Sequence, residues 1–266
     1  MIEALLKEED ELALPNTTPH LSHSRINRYL LCPEQYRFYY IENLRLKFPS
    51  ASLVFGQVVH QALADLFNTK SDPIDFFLRT WGELKDVKLT YGKKQTWEKL
   101  QASGQGLLQK FLKEEFCRIG QVRAVEKKFE LNITGFDLPF IGIIDLIAEI
   151  DRKNTVADFK TAASDYEDHE ADMSDQLTAY QLAEPETEQV ALWVLIKTKE
   201  PKIECYPSNR SPERLVEYIS KVGYLAKEIK AGQFYKRSGK HCSWCDYLPL
   251  CLGQTEKAQE TLVQVR

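Results

Sequence analysis

No stretch of this 266-residue chain approaches the roughly 18 consecutive apolar residues of a membrane span, so a membrane-spanning helix is not expected. Its first twenty residues, MIEALLKEEDELALPNTTPH, are acidic and lack a positive segment followed by an apolar one, the mark of a secretory or transit leader. The expected location is therefore cytoplasmic, where cysteines persist as reduced thiols or metal ligands rather than disulfides. No internal repeat and no low-complexity tract is present, and nothing fits G-x-x-x-x-G-K-[ST], so a helicase motor would have to be a separate chain. A strong excess of positive charge is missing too. The formal net charge is -4, which leaves any attraction to nucleic acid to local patches such as KDVKLTYGKKQTWEK (85–99) and KEIKAGQFYKRSGK (227–240). Either patch alone reads first as a solvated face.

With 43% hydrophobic residues, a chain of this length buries one substantial core without staples, and one domain plus an insertion is expected. A helix should run from Ser22 through RINRYLLCPEQYRFYY and a second should follow Gly56 in GQVVHQALADLF; residues 71–119 carry apolar side chains at three- and four-residue spacing. The texture then changes to β-rich runs bounded by turn residues: VRAVEKKFELNI, LPFIGIIDLIAEI, NTVADFKTA and QVALWVLIKT. Between the last two lies a helical SDQLTAYQLA, and after KIECYP a helix should span Ser211 to about Lys230. Helices, a hairpin-rich sheet with a crossover helix, then helices again make an α/β pattern.

Two of the strands carry charge where burial is expected. Alternation puts Val156, Asp158 and Lys160 on one face of their strand, and Ile141, Ile143, Asp145 and Ile147 on one face of the preceding strand, with DRKN (151–154) as the turn between them. An even-numbered hairpin loop would set Asp145 across from Asp158 or Lys160 on a shared face. One acid and one lysine would make an ion pair. A second acid is repulsive unless a cation is present, and an unpaired carboxylate within IGIIDLIAEI would be costly to bury. A register slipped by one residue would instead turn the acids to solvent, and local pattern does not decide between the two.

The order of these residues resembles the PD-(D/E)XK nuclease superfamily in its RecB-like branch: Gly56 and His60 as helical Gly-x-x-x-His, Asp145 in GIIDLI, Asp158 and Lys160 in DFK, then Gln176 and Tyr180 as Gln-x-x-x-Tyr. Asp145 follows Ile144 rather than a proline, a departure usual in that branch. The resemblance implies a restriction-endonuclease-like α/β fold, a mixed β-sheet core flanked by helices. It also implies that Asp145 and Asp158, with the imidazole of His60, hold Mn²⁺ or Mg²⁺, hard oxygen ligands and a nitrogen suiting manganese well. Lys160 would orient the attacking water and stabilise developing charge, and Gln176 and Tyr180, one helical turn apart, would reach a phosphate or hold the site together. Each has a plainer reading: His60 as a surface histidine beside the stripe of Val59, Leu63 and Leu66, Lys160 as a salt-bridge partner of Asp145, Gln176 and Tyr180 as a partly exposed helix face. Glu126 is a weaker candidate near the site.

CSWCDYLPLC supplies Cys242, Cys245 and Cys251, and Cys32 could be a fourth thiolate from more than 200 residues upstream. Four thiolates suit zinc or an iron-sulfur cluster alike. The arrangement resembles AddB-type and CRISPR-associated RecB-like nucleases, in which one early and three late cysteines hold a [4Fe-4S] cluster, and that resemblance favours [4Fe-4S]. Cys117 and Cys205 fall outside the pattern, with buried free thiols as the default. The expected organisation is a tail (1–20), one RecB-like nuclease domain (21–253) with a helical insertion near 71–119 and a cysteine clasp of Cys32 with 242–251, and a second tail (254–266).

The implied activity is divalent-metal-dependent hydrolysis of DNA, as an exonuclease on ends or single strands, with a helicase or a CRISPR or repair protein as a possible partner. Tyr36, Phe38 and Tyr39 could stack unpaired bases, though an aromatic run on a helix is more often core. Two other readings are a non-catalytic DNA-binding or assembly subunit and a zinc-stapled nucleic-acid-binding module. One segment fits none of them well: SDYEDHEADMSD (164–175) has six acids and no Lys or Arg, and could be a mobile loop, an autoinhibitory flap or a contact for a basic partner.

Overall fold

The computed structural model describes residues 19–265. In chain order these form α1 (His23–Leu31), α2 (Pro33–Tyr36), a π-turn (Arg37–Ile41), β1 (Leu44–Leu46), α3 (Ala51–Thr69), α4 (Pro73–Glu83) and α5 (Trp97–Lys110). Then come short turns to Arg118, β2 (Ile119–Leu131), β3 (Phe140–Ile150), β4 (Lys153–Ala162), α6 (His169–Met173), α7 (Asp175–Ala183), β5 (Gln189–Ile196) and β6 (Lys202–Ser208). The chain continues through α8 (Pro212–Lys230), a 3₁₀ turn (Lys240–Trp244), α9 (Leu248–Cys251), α10 (Thr255–Thr261) and β7 (Leu262–Gln264). Among the described residues no helix is long and apolar enough to cross a membrane.

These elements gather into two compact units. The first comprises Ser50–Phe129 and Ile143–Tyr218; the second takes its described residues from 19–49, 130–142 and 219–265.

The first unit is a five-stranded sheet in the order β2-β3-β4-β5-β6, antiparallel from β3 to β4, parallel from β4 to β5 and antiparallel from β5 to β6. The parallel step needs a crossover, which α6 and α7 supply between β4 and β5. Every residue of β5 is buried, as expected of a central strand covered on both faces. One face packs Leu146, Ala157, Phe159 and Trp193 against α3, α4 and α5. The other packs Ile147, Val156, Val190 and Leu192 against Leu177 and Tyr180 of α7. This mixed sheet between helices is the restriction-endonuclease-like α/β architecture.

Local chemistry sets the boundaries, and in two places moves them from where periodicity puts them. The first expected helix breaks at Cys32, which is extended because Pro33 disfavours helical geometry in the residue before it. Residues 71–119 are not continuously helical. Asp72 and Thr96 cap separate helices by accepting from the backbone N–H of Ile74 and Lys99, and the indoles of Trp81 and Trp97 each donate to the other's carbonyl across the break. Gly104 lets α5 approach α4 closely, since a Cβ there would lie 2.1 Å from the Phe77 ring.

The second unit is built on aromatics. Tyr29, Tyr36, Phe38, Tyr39, Tyr40 and Tyr247 form its core with Ala258 and Leu262. Tyr36, Phe38 and Tyr39, considered for base stacking, are thus buried, and the guanidinium of Arg28 lies 3.7 Å and that of Arg45 3.4 Å from the centroid of the Tyr39 ring. Residues 254–266, read from sequence as a tail, include α10 and β7, and β7 pairs antiparallel with β1. The expected tail at 1–20 lies almost wholly outside the described residues.

Candidate active site

The hairpin between β3 and β4 closes through two residues, Asp151 and Arg152, both with positive φ (49° and 68°), the geometry of a type I′ turn. Its register runs from Ile150↔Lys153 to Leu146↔Ala157. The next pair on that register would be Asp145 and Asp158, and there the side chain takes over from the ladder: Asp145 Oδ2 accepts from the backbone N–H of Phe159 at 2.7 Å. Ile144 and Ile147 both face the α7 core, so strict alternation along β3 fails between them. The expected common face of Ile141, Ile143, Asp145 and Ile147 is therefore only partly right. Asp145 lies beside the peptide that joins Asp158 to Phe159, where it also meets a residue of α3.

That residue is His60, whose Nδ1 lies 3.5 Å from Asp145 Oδ2. Val59, Leu63 and Leu66 are the buried stripe the sequence indicated, but His60 is no surface histidine; its side chain is 19% exposed and turned to the acid. Gly56 explains the spacing, because a Cβ there would lie 3.0 Å from Thr161 Oγ1, so the helix rests on β4 one turn before His60. Asp158 is 1% exposed, and its Oδ2 is paired with Lys160 Nζ at 2.8 Å, so the lysine is an ion-pair partner of Asp158. From α7, Tyr180 Oη donates to the carbonyl of Ile143 (2.7 Å), lies 3.3 Å from Asp158 Oδ1 and accepts from Gln176 Nε2 (2.7 Å). Gln176 and Tyr180 are buried, not the partly exposed face that helical spacing allowed.

Burial pushes the Asp145 carboxyl up, but the charge and hydrogen bond of His60, the charge of Lys160 and the Phe159 N–H outweigh it and hold the group below the ordinary carboxylate range. Asp145 is thus an anion in a nearly dry place. Two buried carboxylates and an imidazole nitrogen are a donor set that fits a hard divalent cation. Among the described residues, however, no three His, Cys, Asp or Glu side chains are drawn tightly enough to grip one.

Sequence reasoning missed three contributors. The Phe159 N–H and the Ile143 carbonyl are backbone groups that no side-chain pattern reveals. Tyr166 sits close enough for its hydroxyl to feel the site, raised mainly by burial, lowered by Lys160 and raised again by Glu170 and Asp158. Glu126 is exposed, with φ of 49° inside β2. The acidic segment is tied down rather than loose. Tyr206 donates to the Tyr166 carbonyl, Lys202 pairs with Asp165 at 3.0 Å, and Arg210 donates to the carbonyls of Ala171 (2.7 Å) and Ser174 (3.1 Å).

In the second unit, Cys32, Cys242, Cys245 and Cys251 line one cavity of about 260 Å³, together with Gln35, whose amide reaches Cys245 Sγ at 3.6 Å. Burial, with smaller contributions from neighbouring thiols, pushes Cys245 and Cys251 up. The four cysteines fit a four-thiolate group in kind and number, although their sulfurs are not gathered to bonding distance. Cys117 is exposed, against the expectation of a buried thiol, and Cys205 is half-buried.

A sequence profile of the PD-(D/E)XK nuclease superfamily matches residues 20–252. The chain belongs to that superfamily. No curated protein matches it. Among solved structures, a candidate exonuclease from Eubacterium rectale aligns over 91% of this chain and 93% of its own, with 14% identity and a TM-score of 0.56. At that identity the likeness speaks for the fold, which it supports along nearly the whole chain. The protein SSO0001 aligns over 94% of this chain and 96% of its own, with 17% identity and a TM-score of 0.48, too low to carry weight. Members of the superfamily generally use Mg²⁺ or Mn²⁺, in keeping with the paired acids of this chain.

Proposed function

We propose that this member of the PD-(D/E)XK superfamily is a DNA nuclease of the RecB-like branch, an exonuclease acting on ends or single strands, with a [4Fe-4S] cluster on Cys32, Cys242, Cys245 and Cys251. The observation that carries the nuclease reading is the convergence at the end of one hairpin ladder. Asp145 is held against the Phe159 N–H and faces His60, while the adjoining Asp158 is paired with Lys160. Asp145, Asp158 and His60 would hold Mn²⁺ or Mg²⁺, which when bound supplies a nucleophilic water and offsets charge on the phosphoryl group.

The remaining work falls to the chain's own residues. Lys160, tethered to Asp158 and 29% exposed in its side chain, can turn its ammonium to a phosphate oxygen or an attacking water. Tyr180 fixes Asp158 to the Ile143 backbone, so that both strands keep their acids in place. Gln176 fixes Tyr180 in turn. Support for a metal-loaded cysteine site is the single cavity that receives all four thiols, one from the residue after α1 and three from beyond residue 240. Such an exonuclease would draw its ends from a helicase or from a CRISPR or repair complex.

The test is degradation of labelled linear DNA with Mn²⁺ or Mg²⁺ by the wild type and by Asp158→Ala. Metal-dependent loss of end label that the substitution abolishes is expected. A wild type that binds DNA yet never cuts it would make the protein a binding subunit, and elemental analysis showing zinc in a colourless protein would replace the cluster.

A further inference from the structure

Four tryptophans occur in the chain, and three are accounted for by packing. Trp81 and Trp193 are fully buried, and Trp97 is half-buried and stacked on Trp81. Trp244 is different. It ends the 3₁₀ turn Lys240–Trp244 with 71% of its surface exposed, and among the described residues no ring or cation lies against it. Leaving a large apolar ring in water forfeits the burial that aromatic side chains normally contribute. The turn is also not loose, since the backbone N–H of Cys242 donates to Gly239 and that of Cys245 to Cys242.

What surrounds it in sequence is basic. From residue 227 to 240 the chain holds Lys227, Lys230, Lys236, Arg237 and Lys240 against a single acid, Glu228, whereas the whole chain is net negative. Lys236, Arg237 and Lys240 are exposed. Lys236 donates to the carbonyl of Cys251 at 2.9 Å and Arg237 to that of Leu30, and among the described residues neither is in an ion pair. Glu34, on which the charge of Lys236 acts, is already paired with Arg37. Lys240 has no ion pair among the described residues. Lysines alone would be a solvated face, and a lone tryptophan would be an exposed ring. Together, an exposed indole on a hydrogen-bonded turn and exposed cations that end four residues before it in the chain have the chemistry of a surface that stacks a base and meets its phosphates.

We propose that Trp244, with Lys236, Arg237 and Lys240, is a stacking platform for an unpaired nucleotide of single-stranded DNA. A duplex keeps its bases stacked on one another, so the platform discriminates between the two forms, while the cations contribute to both. The contact uses no residue of the acid site.

The experiment titrates full-length protein in the Asp158→Ala background, without added divalent ions, with a labelled 12-nucleotide oligo(dT) and with its oligo(dA) duplex. Trp244→Ala should weaken single-strand binding about 5- to 150-fold, the range of one lost base stack, while Trp244→Phe retains most of it. Replacing Lys236, Arg237 and Lys240 by Gln should flatten the dependence of log affinity on log salt by about 2, from roughly 0.7 per phosphate contact on a single strand. Because Trp244 is the exposed indole, oligo(dT) should also quench the fluorescence of the unaltered protein, a readout that requires no variant to fold. Binding by Trp244→Ala within twofold of its parent, equal losses on duplex and single strand, or an absence of quenching would each overturn the proposal. Trp244-dependent binding by a wild type that never hydrolyses DNA would support this inference while sinking the nuclease reading, so the two fail separately.

Discussion

The two cofactor sites proposed for this chain are built on different principles. The acid site rests on sheet and helix. Its carboxylates sit at the end of a hairpin ladder, each held by a partner within the protein, whether the Phe159 N–H, His60, Lys160 or Tyr180. The cysteine site rests on the residue between α1 and α2, a 3₁₀ turn and a four-residue helix, with no strand among them and four thiols around an open cavity. In the first, regular structure would hold the proposed ligands in position and an ion would add chemistry. In the second, short irregular segments converge, and the bound group is expected to supply much of what keeps them together.

The largest consequence is for stability. A crosslink joining residue 32 to residue 251 contributes about 5 kcal/mol against the unfolded chain in the loop-entropy description, comparable to the net stability of a whole domain. Stripping the cluster, or Cys32→Ser, should therefore lower the melting temperature by many degrees, whereas withdrawing Mn²⁺ or Mg²⁺ should stop hydrolysis and barely move it. Thiol alkylation gives an independent reading. In the loaded protein Cys117, exposed, should react first; Cys205, its thiol pushed up to about 11 mainly by burial, should lag; and removal of the cluster should add four reactive groups. Equal melting shifts from the two metal removals would erase the distinction.

Within the acid site the next largest effect falls on Tyr180. Tyr180→Phe deletes a hydroxyl that joins Gln176, the Ile143 carbonyl and Asp158, leaving buried polar groups short of a partner at a cost of about 1–3 kcal/mol. Denaturant melts should register that loss, and cleavage of labelled DNA should fall with it. A variant that keeps full stability and rate would show that the acids do not depend on α7.

How much of this was legible beforehand follows the same division. The four sheet strands that alternate or run apolar, the crossover helix and α8 were readable because periodicity reports on burial. The break at Cys32 was readable in principle from Pro33, but a continuous apolar stripe masked it. At the site, the residue types and their order pointed to Asp145, Asp158, Lys160 and His60, yet pattern alone left register open. Register is decided by the two-residue turn with positive φ at Asp151 and Arg152, a conformation that neither aspartate nor arginine advertises as glycine would. The bond from Phe159 to Asp145 and the fastening of the acidic segment by Arg210 are tertiary, and no local signal announces them.

The smallest expected effect is the most diagnostic of how helix and strand share the acid site. Gly56→Ala adds a methyl 3.0 Å from Thr161 Oγ1, a contact that asks the neighbour to yield by a few tenths of an ångström. Alanine is the better helix former by about 1 kcal/mol, so the crowding and the gain in propensity oppose each other, and net stability should change by less than about 1 kcal/mol. What should move is Thr161, and with it the adjoining Lys160, so hydrolysis should fall more than the melting temperature does. Adding Thr161→Ala removes the oxygen that the methyl meets, and the double variant should recover rate that the single one loses, the non-additivity expected of side chains in contact. If Gly56→Ala/Thr161→Ala is as slow as Gly56→Ala, the glycine serves α3 in some way other than letting it rest on β4, and the spacing from Gly56 to His60 needs a different physical reason.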